Sequence, residues 1–104
     1  MNHRSALLLI LLVLSSVGGA HTYSELARRV ESSPSFRRLA SQRPDASWIS
    51  DYALHGYTVV AIGASMDENF WHRWDTLRVW RSGRVERMVI CPECKEDQQW
   101  IEDR

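Results

Sequence analysis

Hydrophobic residues in this chain are spaced first for helix and then for strand, with the change at Trp48. Tyr23, Leu26, Ala27 and Val30 recur at spacings of three, four and seven, which places them on one face of a helix. Thr22-Tyr-Ser-Glu25 is a capping box, in which the Thr22 hydroxyl and the Glu25 carboxylate satisfy amide donors at the helix start. Ser33 caps a second short helix with Pro34 at its first position and Phe36, Leu39 and Ala40 on its buried side. Gln42-Arg-Pro-Asp45 closes the helical part.

From Trp48 onward aromatic and β-branched residues dominate, and these favour strands. Trp48 to Leu54 is the first predicted strand, and His55-Gly56 turns the chain into Tyr57 to Ile62. That second run is apolar on both alternating faces and belongs at the centre of a sheet. Gly63 to Asn69 is polar and contains glycine, so a loop is predicted. Trp71 to Trp80 forms a long third strand, and Arg81-Ser82-Gly83 returns the chain into Arg84 to Ile90. With Gly83 in the left-handed position of a three-residue loop, Val79 lies opposite Val85, Arg78 opposite Glu86 and Leu77 opposite Arg87. Glu96 to Ile101 is predicted as a short helix that carries Trp100 back onto the sheet. The expected architecture is α+β: an N-terminal helix, or two short helices, packed on a four-stranded antiparallel meander, with a short C-terminal helix.

The segment before these elements has another purpose. A basic start with Arg4 leads into the apolar run Ala6 to Leu14 and then into small residues that fit cleavage after Ala20. The run falls short of the roughly 20 apolar residues that a spanning helix needs. Residues 1–20 therefore read as an export signal, and residues 21–104 as one small domain in a periplasmic or extracellular setting, without membrane insertion after cleavage. A core this small is marginal. Of the 13 basic residues in the chain, Arg4 leaves with the signal, and 13 acidic residues remain against the other twelve. Near-neutrality argues against nucleic acid as a partner.

Gly56-Tyr57-x-Val59-Val60, then Arg73-Trp74-Asp75-Thr76-Leu77-Arg78-Val79 and Ser82-Gly83-Arg84-Val85, together with the N-terminal helix, resemble PepSY-like domains of the cystatin-like class. The resemblance covers roughly Thr22 to Val89 and carries no catalytic signature. It implies a small exported protein that binds another exported or envelope protein, with restraint of a peptidase or other envelope hydrolase as one form of that binding. The Cys91-Pro92-Glu93-Cys94 tail departs from the family pattern.

Cys91 and Cys94 are the two cysteines of a chain read as exported, and three readings compete for them. They form a local disulfide that pins the end of the last strand, a redox-active dithiol, or half of a zinc site completed by two of His21, His55 and His72 or by a second chain. The compartment favours the disulfide. The loop is so short that its entropic stabilisation falls below the roughly 3 kcal/mol of a 15-residue loop. A thiol–disulfide or redox-sensing role for this pair is the alternative to a binding function.

Phe70, Trp71, Trp74 and Trp80 crowd one strand, with Trp48 and Trp100 elsewhere. Simple alternation sets Trp74, Thr76, Arg78 and Trp80 on one face and Trp71, Leu77 and Val79 on the other. One set supplies the core of so small a domain. An exposed tryptophan flanked by arginine would instead form a binding patch, since both are enriched at interface hot spots. Trp71, Arg73, Trp74, Arg78 and Trp80 are the residues that such a patch would use. An enzyme is not expected. His72 and Asp75 fall on opposite faces by alternation, Glu68 has no paired carboxylate, and neither Ser65 nor Ser82 lies in a nucleophile elbow. No phosphate loop or calcium loop is present, and no cofactor or metal is expected.

Overall fold

The computed structural model describes residues 22–67, 70–93, 95 and 98–104, with only the backbone at 66 and 67. The predicted signal segment, His21, Glu68 and Cys94 lie outside the described residues. Among those described, no helix is long and apolar enough to cross a membrane.

Among the described residues two helices come first, α1 over Tyr23–Glu31 and α2 over Pro34–Gln42. Both start where their caps predict. Thr22 Oγ1 accepts from the Glu25 N–H at 3.3 Å, and Ser33 Oγ accepts from the Phe36 N–H at 3.3 Å. Leu26 and Val30 of α1 and Phe36 and Leu39 of α2 are buried against the sheet.

Five antiparallel strands follow in chain order: β1 Ser47–Leu54, β2 Tyr57–Asp67, β3 Phe70–Trp80, β4 Val85–Ile90 and β5 Gln98–Glu102. Val60 and Ile62 of β2 and Leu77 and Val79 of β3 meet the helices, with Ala46, Trp48 and Val85 at the margin of that core. Leu39, Ile62 and Leu77 are among its largest fully buried side chains. Each such burial contributes about 1.5–3 kcal/mol. Gly56 and Gly83 carry φ of +96° and +100°, the left-handed backbone that their tight turns require. The β3–β4 register is the one predicted from the Gly83 loop: Val79↔Val85, Arg78↔Glu86 and Leu77↔Arg87.

The structure corrects the expected architecture at two places. The sheet has five strands, and the end of the chain, predicted as a helix over Glu96 to Ile101, is strand β5 over Gln98–Glu102. Pairing decides this: β4 offers β5 an otherwise open edge from Glu86 to Ile90, and tertiary hydrogen bonds outweigh local helix propensity. The predicted Gly63–Asn69 loop is also largely strand, because β2 continues to Asp67 and pairs with the start of β3. Gly63 serves that pairing as a close-contact position. A Cβ there would collide with the His72 carbonyl and the Trp71 ring.

Among the described residues the sheet's register shifts at three places, one of them between Ser65 and Asp67 at the end of β2, and the other two shape the face turned away from the helices. Ser50 pairs with Val60 and Tyr52 with Val59, which leaves Asp51 as the extra residue of β1. Asp75 pairs with Ile62 and Arg73 with Gly63, which leaves Trp74 as the extra residue of β3. A bulge bends its strand and increases the local twist. β3 accordingly pairs with β4 at only three positions, and beyond Leu77 and Arg87 the two strands diverge as a fork.

Candidate functional site

The Trp74 bulge redistributes the tryptophan and arginine side chains of β3. Counting partners on β2, Arg73 faces Gly63 and Trp71 faces Ser65, the same side as Thr76 opposite Ala61 and Arg78 opposite Val59. Leu77 and Asp75 face Val60 and Ile62, which belong to the helix side. The alternation predicted for Trp71 is therefore inverted. Trp71 and Arg73 join Arg78 and Trp80 on the sheet face turned away from the helices, while Trp74 stands at the bulge, 45% exposed. Alternation across an unbulged strand would have split the group.

The same inversion changes the reading of His72 and Asp75. His72 lies opposite Ala64 and Asp75 opposite Ile62, so both sit on the helix side rather than on opposite faces. No catalytic pairing results: His72 is exposed, and no hydrogen bond joins the two side chains.

On the outer face, Arg78 is the centre of an aromatic cage. Its guanidinium carbon lies 4.6 Å from the Trp100 ring centroid, 5.0 Å from Trp80 and 5.2 Å from Tyr57. Tyr57 and Trp80 meet edge to face with centroids 4.9 Å apart. Glu86 closes the cage, accepting from Arg78 Nε at 2.8 Å and Trp80 Nε1 at 2.6 Å through Oε1, and from Arg84 Nη2 at 3.1 Å through Oε2. Burial alone would raise the Glu86 carboxyl, but the hydrogen bonds from Arg78 and Trp80 and the charges of Arg78 and Arg84 outweigh it and hold it below the ordinary carboxylate range. Arg78 and Trp80 are thus engaged within the molecule.

The second part of the face lies toward β1. Arg73 makes a bidentate pair with Asp51, at 2.8 and 3.2 Å, and also donates to Thr76 Oγ1 at 3.0 Å. The hydrogen bond and the charge of Asp51 raise the Arg73 pKa further despite partial burial. Trp71 lies over Gly63 and donates from Nε1 to Ser47 Oγ at 2.9 Å. Beside them Ile49, Tyr52 and Leu54 face the same way, opposite Ala61, Val59 and Tyr57, and each is half exposed or more. Among the described residues no element covers this side of the sheet.

Neither the cage residues Tyr57 and Trp100 nor the apolar row of β1 was singled out from the sequence. Glu86 was legible as the cross-strand partner of Arg78. Trp100 was expected to return to the sheet, but on a helix. The Asp51–Arg73 pair had no local signal, because both residues depend on bulges.

On the helix side, Asp103 follows β5 with its side chain fully buried. Its carboxylate accepts from the Ser35 N–H at 3.0 Å and from the Ser35 hydroxyl, at the first turn of α2. Arg38 and Arg87 lie 3.9 and 3.8 Å from it. A pocket of about 280 Å³ runs along this seam, with Arg29, Ser33, Gly83, Arg84 and Glu102 in its lining.

Cys91 directly follows β4 and is half-buried, while Cys94, and with it the expected bridge, lies outside the described residues. His55 at the β1–β2 turn and His72 near the other end of β3 stand at opposite ends of the sheet. Among the described residues no three His, Cys, Asp or Glu side chains gather to hold a metal ion. Comparison with protein-family models, with curated proteins and with solved structures finds no match.

Proposed function

We propose that residues 21–104 form an exported, non-catalytic protein-binding module whose contact surface is the sheet face turned away from the helices. The observation that carries this reading is the juxtaposition on that face, away from the helices, of Ile49, Tyr52 and Leu54 with Trp71 and Arg73. A contiguous apolar face rimmed by polar groups marks an interaction site. The arginines of the face already hold counter-ions, Arg73 with Asp51 and Arg78 with Glu86. A partner therefore meets a neutral, aromatic surface, so the attraction is apolar burial rather than charge steering.

The Arg78 cage gives this surface a rigid floor, and the Trp74 bulge gives it a projecting tryptophan at its edge. Residues 1–20, read as an export signal, place the partner among exported or envelope proteins. The PepSY-like resemblance points to restraint of a peptidase or other envelope hydrolase as the form the binding takes.

The test is site-specific photo-cross-linking from p-benzoylphenylalanine at position 49 or 52, with position 37 on α2 as the control. The reading expects an adduct from positions 49 and 52 in an extract of exported proteins and none from position 37. Adducts from position 37 alone would move the binding surface to the helices.

A further inference from the structure

The pocket of about 280 Å³ between the α1–α2 junction and the β3–β4 turn holds a cation that no described side chain engages. Arg29, in the last turn of α1, is half-buried, and its guanidinium lies flat over Gly83: a Cβ at that glycine would stand 2.7, 2.8 and 2.9 Å from Arg29 Cζ, Nη1 and Nη2. Packing thus fixes the plane of the group and leaves its N–H edge free. Among the described residues the Arg29 side chain makes no ion pair and no hydrogen bond. The carbonyls of Arg28 and Val30, at the same end of α1, are already occupied by Ser32 and Ser33.

The other polar groups of the lining are committed elsewhere. Glu102 pairs with Arg104, and Asp103 is taken up by Ser35, Arg38 and Arg87. The Ser32 and Ser33 hydroxyls each donate to a backbone carbonyl at 2.6 Å. Arg84 donates from Nη2 to Glu86 and lies over the Trp80 ring, which leaves its remaining N–H groups unspent. The side-chain donors that the pocket still offers are therefore those of Arg29 and Arg84.

We propose that this pocket binds a small monocarboxylate, whose oxygens accept from Arg29 and Arg84. A planar carboxylate fits the guanidinium fork. A single charge matches the one cation left without a counter-ion, whereas a dianion would meet the carboxylates of Glu102 and Asp103 in the same lining. Pro34 and Val85 supply apolar wall for a short alkyl body. A free acid and the terminal carboxylate of another chain share this chemistry. The site lies on the helix side of the sheet, so it goes beyond the binding reading and does not depend on it.

Nuclear magnetic resonance of the protein at neutral pH tests it, with isobutyrate as the free acid, N-acetylvaline as the chain terminus, isobutyramide as the uncharged control and inorganic phosphate as the dianion. Saturable shifts of the Arg29 Nε–H and Gly83 amide signals are expected from the acids and not from the amide, and the tighter acid names the source. Arg29→Gln should weaken that binding by about tenfold or more. Arg37→Gln, at an exposed position outside the pocket, should leave it unchanged. Absence of saturable shifts with both acids, equal shifts with the amide, or phosphate binding as tight as the acids overturns the proposal whether or not Arg29→Gln folds. Equal weakening by Arg29→Gln and Arg37→Gln overturns it as well.

Discussion

Arg78 of β3 and Trp100 of β5 are in cation–π contact, 4.6 Å from guanidinium carbon to ring centroid, although β4 separates their strands. The contact binds the last strand to the middle of the sheet. Arg78→Lys keeps the charge but loses the planar group that Tyr57, Trp80 and Trp100 surround, and the Nε donor to Glu86. The expected cost is about 2 kcal/mol. Chemical denaturation measures it, and a change in tryptophan emission should accompany it.

Asp103 ties the end of the chain to α2 through Ser35. Asp103→Ala leaves the Ser35 N–H without its acceptor and Arg38 and Arg87 without their shared anion. Loss of one partner of a buried ionic group typically costs 3–5 kcal/mol; Arg38 is half exposed, which places the expected loss near the lower bound, about 3 kcal/mol. Calorimetric unfolding reads it. Faster amide exchange along β5 is the local signature.

Thr58 is 2% exposed, and its hydroxyl has no hydrogen-bond partner. Thr58→Val keeps the β-branched shape and removes the unsatisfied group. A gain of about 1 kcal/mol is expected, read as a rise in Tm.

Two carboxylates pull the acid response in opposite directions. The folded pKa of Glu86 lies below its ordinary value of 4.5, so its contribution to stability is fully present above 4.5 and is lost as pH falls through the folded value. The folded pKa of Asp75 lies above 3.8, so its contribution is fully present below 3.8 and is lost as pH rises through the folded value. Asp75→Asn should therefore raise Tm at neutral pH and leave it unchanged at strongly acid pH. Glu86→Gln should lower Tm at neutral pH and flatten the acid limb. Thermal unfolding across pH 3 to 7 separates the two.

Local signals in the sequence were enough where one element was concerned. Thr22 and Ser33 marked the helix starts, and Gly83 set a register that brought Arg78 to Glu86. What the sequence did not reveal depends on partners remote along the chain. Nothing local to Trp74 indicates a bulge, yet that one residue decides which face Trp71 and Arg73 occupy. Gln98 to Glu102 becomes a strand only because β4 has an open edge, on the side away from β3, to cover. Gly63 reads as a loop residue by type, whereas here it is the space that the Trp71 ring fills. Four of the five residues expected to bind do share a face, but Arg78 and Trp80 are held in the cage, and Ile49, Tyr52 and Leu54 supply the exposed apolar surface instead.

The central claim is that the sheet face turned away from the helices binds a protein partner, and Trp74 and Tyr52 test it most directly because both are exposed and outside the helix-side core. The measurement is titration calorimetry of the cross-linked partner against the wild-type domain and against Trp74→Ala and Tyr52→Ala. The account predicts unchanged circular dichroism and stability within about 1 kcal/mol for both variants, with at least a tenfold loss of affinity for one of them, the ~1.4 kcal/mol scale of a hot-spot side chain. Binding unchanged in both folded variants would contradict it.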